Sequence, residues 1–84
     1  METIDVIQRL ATDVCRIPGE VLLRAGTLRD AGIDSLAAID LVFAIENRFA
    51  ITIGAEDVAN VHSVRDLAVM VDRLVTRKAH TNEE

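Results

Sequence analysis

The sequence predicts an all-α domain, a small four-helix bundle of three longer helices and one short one. Three observations carry this. Apolar residues recur at spacings of three and four along most of the chain, no segment alternates as a strand does, and turn markers are sparse: Pro18-Gly19, Gly26, Gly32 and Gly54. With 84 residues there is room for one domain only, and half of the residues are hydrophobic. Phe43 and Phe49 are the only aromatics, so the core must be built from Leu, Ile, Val and Ala.

Residues 3–16 form the first candidate helix. Ile4, Ile7, Ala11 and Val14 share a face, with Leu10 and Cys15 at its edges. Thr3 suits a cap, and Pro18-Gly19 ends the helix. Residues 18–33 make a long connection that Val21, Leu22, Leu23 and Leu28 can pin to the core; a loop of this length is usually functional or contains a helical turn. The second helix covers residues 35–49 and is entered through Gly32-Ile33-Asp34-Ser35. Ile51-Thr52-Ile53 is the one hint of a strand, and it has no partner. A short third helix follows Gly54 over residues 55–60, with Glu56 and Asp57 in its first turn, where carboxylates suit the dipole. The fourth covers residues 64–78, with Val64, Leu67, Ala68, Val71, Leu74 and Val75 as its apolar stripe. Ser63 and Asp66 resemble a capping box. Residues 1–78 thus read as the domain and 79–84 as a flexible polar tail.

The net charge of −5 is localised. Residues 30–60 hold six carboxylates against Arg48 alone, and the rest of the chain is balanced. An acidic balance argues against nucleic acid, which needs clustered cations. No apolar run approaches the ~20 residues of a membrane span, and the first residues lack the pattern of a signal peptide. A lone Cys15 makes no internal disulfide, so a cytoplasmic chain is expected, monomeric by virtue of its charge. One Cys with scattered His62 and His80 lacks metal-ligand spacing, so no metal site is expected. Catalysis by the chain itself is not expected either. The inserted Ile33 breaks a G-D-S-L hydrolase motif, and neither His stands in a triad relation to Ser35.

The second helix carries two apolar stripes. Ala38, Leu41, Val42, Ile45 and Phe49 span about 100° of the helical wheel, an ordinary core stripe. Leu36, Ile39 and Phe43 lie on a second stripe at roughly 160–220°, with Glu46 on one side and Asp40 and Asn47 on the other. Either a neighbouring loop covers this stripe, or it is exposed and forms a partner site rimmed by carboxylates. At the entrance to this helix Asp34 or Ser35 can cap, and Ser35 lies where free N–H groups favour an anion.

The run Asp30-Ala31-Gly32-Ile33-Asp34-Ser35-Leu36, followed by Asp40-Leu41 and Glu46-Asn47-Arg48-Phe49, strongly resembles the acyl carrier protein family. The layout agrees across residues 3–76: a first helix, a long loop, D-S-L heading the second helix, a short third helix and a closing fourth. The resemblance implies that Ser35 receives a 4′-phosphopantetheine arm from coenzyme A through a phosphopantetheinyl transferase. It implies that the arm's thiol carries acyl groups, and that Asp34 helps hold the transferase's magnesium ion. Leu36, Ile39, Asp40, Phe43, Glu46 and Asn47 would then meet acyl-transferring and synthase enzymes through their basic docking patches. Leu41, Ile45, Ile53, Val58, Val61 and Leu67 are candidates to line an acyl pocket, and for most of them core packing applies as well. Ala37 directly after D-S-L, Arg48, and Gly54 where proline is common depart from typical fatty-acid carriers. They leave polyketide, peptidyl or aminoacyl and other dedicated pathways as open as fatty-acid synthesis. The alternative from a different class is an unmodified helical interaction module that uses the Leu36–Phe43 stripe.

Overall fold

The structure, a computed structural model, describes residues 2–82; the side chains of Leu23, His80, Thr81 and Asn82 lie outside what it describes. Five helices follow one another: α1 (Glu2–Cys15), α2 (Gly19–Arg24), α3 (Ser35–Phe49), α4 (Ala55–Ala59) and α5 (Val64–Asn82). The three long helices are those the periodicity marks, and no strand occurs among the described residues. The long connection contains the additional short helix α2, begun at Gly19 after Pro18, whose fixed φ suits a helix entrance.

Helix α1 packs against both α3 and α5. Ile7 and Ala11 of α1, Leu41 and Ile45 of α3, and Val71 of α5 lie at the centre of an aliphatic core. Phe49 packs at its edge, while Phe43 is exposed. From the connection, Ile17, Leu22, Ala31 and Ile33 are buried, and Leu28 packs against them. Val21 points outward, contrary to expectation, because α2 turns only one side to the core. Leu23, expected to help pin this loop, falls among the side chains outside the description.

Two helices end without glycine, and of the two only α1 departs from its expected end, by one residue. Arg16 at φ 58° and Ala50 at φ 55° are left-handed residues that stop α1 and α3, and neither is the glycine usually found there. Helix α1 therefore ends before Pro18, and Val14 in its last turn is exposed instead of sharing the Ile7 face. Thr3 lies within α1 and not at its cap; its hydroxyl donates to Asp72 of α5 and ties the two helices together. Val75 is likewise exposed, on the outer side of α5. That helix runs past residue 78 to Asn82, because no Gly or Pro follows Gly54 to stop it. Residues 83–84 of the expected tail lie outside the described residues.

Polar contacts set the shorter pieces. The Asp57 carboxylate accepts from Gly54 N–H at 3.0 Å, half of a capping box on α4, and pairs with Arg73 of α5 at 3.6 Å. Ser63 Oγ accepts from Asp66 N–H at 3.1 Å, and Asp66 accepts from His62 N–H at 3.0 Å, so the expected box on α5 closes one residue early. Leu28 N–H donates to His62 O at 2.7 Å and stitches the long loop to the α4–α5 connection. No helix among the described residues is long and apolar enough to cross a membrane.

Truncating Leu41, 1% exposed, to Ala is expected to cost about 2–5 kcal/mol in urea unfolding. Truncating Leu36, five residues earlier on the same helix and 76% exposed, should change stability by less than about 0.5 kcal/mol.

Candidate functional site

The head of α3 is built by three consecutive backbone devices. Gly32 sits at φ 92°, a conformation that strains any residue with a side chain, and this turns the loop sharply. Ile33 then buries its side chain and donates its N–H to Leu28 O at 3.0 Å, which anchors the turn. Asp34 follows in extended backbone as the N-cap, with Oδ1 accepting from Ala37 N–H at 2.8 Å. Of the two residues able to cap this helix, Asp34 does so. Ser35 is therefore the first helical residue, exposed, with no hydrogen bond to its hydroxyl among the described residues.

Two grooves open at Ser35. One lies between α3 and α4, with Ala38, Ile39, Val42, Phe43, Ile53 and Val58 in its walls, and encloses about 480 Å³. The other lies between α3 and the long loop, about 520 Å³, and brings Thr27, Leu28, Arg29, Asp34, Val61 and His62 together. Of the six acyl-pocket candidates, Ile53 and Val58 line the first groove and Val61 the second. Leu41, Ile45 and Leu67 line neither, since all three are sealed in the core. Arg29 and His62 line the second groove, and the sequence analysis did not place either of them near Ser35. Their only signal is sequence proximity to Asp30 and Ser63, and a backbone bond brings the two segments together.

The second stripe of α3 is uncovered. Leu36 is 76% exposed, Ile39 50% and Phe43 58%, so the long loop does not shield them. Asp40 and Asn47 are exposed beside the stripe. Glu46 behaves differently: it is half-buried, and its Oε2 accepts from Ile53 N–H at 2.7 Å, holding the α3–α4 loop. The thiol of Cys15 donates to Ala37 O at 3.6 Å from the α1 side. Burial pushes this thiol up from its ordinary range, and the Asp40 and Asp34 carboxylates add to the rise. The thiolate is thus disfavoured, and Cys15 packs partly buried against the core. No cluster of three or more metal-ligating side chains occurs among the described residues. Asp34→Ala should destabilise the domain by about 1 kcal/mol through loss of the cap, while Asp34→Asn, which keeps an acceptor, restores most of it; thermal unfolding of the two variants checks this.

Comparison with known proteins agrees with this arrangement. A family described as phosphopantetheine attachment site matches residues 5–71. Acyl carrier protein 3 of Ralstonia nicotianae is 39% identical over 54 residues, 63% of this chain and 62% of that protein. Chloroplastic acyl carrier protein 1 of Hordeum vulgare is 27% identical over 78 residues, 92% of this chain and 52% of the relative. Chloroplastic acyl carrier protein 4 of Arabidopsis thaliana is 27% identical over 78 residues, 92% of this chain and 57% of its own length. The chain thus spans about half to three-fifths of the length of the curated relatives it matches. A helical bundle whose residues from α1 through most of α5 match that family belongs to the acyl carrier proteins, a family whose prosthetic group is covalently attached 4′-phosphopantetheine.

Proposed function

We propose that Ser35 is the attachment point of the 4′-phosphopantetheine arm and that this chain carries acyl groups between biosynthetic enzymes without catalysing a reaction of its own. The observation that carries this reading is the division of labour at the head of α3. Asp34 caps the helix and leaves the Ser35 hydroxyl exposed and unbonded, the state a hydroxyl needs to take the phosphopantetheinyl group from coenzyme A, with 3′,5′-ADP leaving. The surroundings fit the group. The free N–H groups and dipole at the start of α3 favour an anion, and two grooves open at the attachment point. When bound, the arm supplies a terminal thiol that holds acyl cargo as a thioester.

The remaining roles belong to the chain's own side chains. Asp34 spends Oδ1 on the cap, and its other oxygen has no partner among the described residues, so it can complete a transferase's magnesium site. Ile39, Val42, Phe43, Ile53 and Val58 give the α3–α4 groove an apolar wall. Shielding there relieves an acyl chain of about 0.8 kcal/mol per buried CH₂. Leu36, Ile39 and Phe43, flanked by Asp40 and Asn47, form the surface for partner enzymes with basic docking patches, because carboxylates around an apolar centre steer and orient such partners. Glu46 stands on α3 near this face, but its carboxylate is engaged by Ile53 N–H of the α3–α4 loop. The enzymes served are those of fatty-acid, polyketide or related synthesis.

Incubation with coenzyme A, magnesium and a broad-specificity phosphopantetheinyl transferase should add one phosphopantetheine mass, and Ser35→Ala should abolish the addition. An unchanged mass with an active transferase would leave the exposed stripe as an unmodified interaction surface. Asp40→Lys should weaken binding to the transferase several-fold at low salt and by less at high salt, since the attraction is screened; titration at two ionic strengths measures the difference.

A further inference from the structure

The two grooves at Ser35 differ in chemistry. The one toward α4 is walled almost wholly by apolar side chains. The one toward the long loop has an apolar floor of Leu28, Ala38 and Val61 and carries Arg29 and His62. We propose that this loop groove seats the phosphodiester of the prosthetic arm between Arg29 and His62, which act as positioning residues for the arm; the proposal rests on attachment at Ser35.

Four observations support the seat. Arg29 lines the loop groove and also a smaller recess formed with Gly32, Ile33, Asp34 and Ser35, so it shares both recesses with the attachment residue. Both residues stand on fixed backbone. Arg29 O accepts from Gly32 N–H at 2.9 Å, while His62 O accepts from Leu28 N–H at 2.7 Å and His62 N–H donates to Asp66. Both side chains are exposed, and neither has a hydrogen-bond or ion-pair partner among the described residues. Finally, residues 30–60 carry six carboxylates against one cation, and a phosphodiester adds another negative charge at their head. Arg29 is the cation next to that segment, and its planar donors suit phosphate oxygens. His62, in the same groove, supplies a ring N–H. The Asp34 carboxylate shares the groove, but its Oδ1 is turned to the Ala37 N–H.

The test uses the full chain loaded enzymatically, with intact mass read first. No mass gain overturns attachment at Ser35 and the seat with it; full loading makes the seat testable by itself. The ³¹P resonance of the loaded protein should be displaced from that of free 4′-phosphopantetheine methyl ester, and the Arg29 Nε–H and His62 ring signals should shift between unloaded and loaded protein. Arg29→Gln and His62→Gln should each return the ³¹P signal toward the free ester, Arg29→Lys should return it less, and Arg9→Gln, an exposed charge on α1, should leave it in place. A ³¹P signal that ignores both groove variants in fully loaded protein overturns the proposal. So does an equal response to Arg9→Gln, which would mark a general charge effect. So do loading shifts confined to Ile53 and Val58, which would put the arm in the α3–α4 groove.

Discussion

The hydrogen bond from Ala37 N–H to Asp34 Oδ1 is the interaction on which the site depends. A helix start leaves its first N–H groups without partners, and a side-chain oxygen at the cap normally supplies one. Had Ser35 been the cap, its hydroxyl would be committed to the backbone and withdrawn from solvent. With Asp34 in that place, the serine moves one step into the helix and its hydroxyl is released. Gly32 makes the arrangement possible, because the chain must reverse at φ 92° just before the cap. Two neighbouring residues of similar capping ability thus acquire separate tasks, one holding the helix and one offering its oxygen.

Helix α3 is also required to face two ways. Leu41 and Ile45 are sealed against α1 and the core, while Leu36, Ile39 and Phe43 on the far side remain in water. An exposed apolar stripe is unfavourable for an isolated domain, and with Asp40 and Asn47 beside it this is the surface we propose for partner enzymes. The core tolerates the division because it is aliphatic and because α1 packs on both α3 and α5, so a single face of α3 suffices to hold it. The only large aromatic side chain without core contact, Phe43, stands on the exposed stripe.

Much of this was legible in the residues. The stretch 35–49 reads as a helix from its spacing alone, and the structure begins and ends it at those residues. The two stripes follow from the same periodicity, as does the concentration of charge around them. Less legible was the end of α1: Arg16 adopts left-handed backbone, and nothing in its side chain announces it. Glu46 shows the other limit. On the helical wheel it is one more carboxylate beside the stripe, yet the fold brings Ile53 N–H within 2.7 Å and gives it a task in the loop.

By itself the sequence determined the helical class, the serine with its neighbouring aspartate at a helix entrance, and the acidic amphipathic helix that follows, since each depends on residues within a turn or two of one another. Tertiary structure decided whether the second stripe was covered and which side chains meet across the grooves. Those outcomes rest on contacts between segments far apart in the chain, such as Leu28 with His62, where the partner is chosen by how the helices pack and local pattern holds no record of the choice.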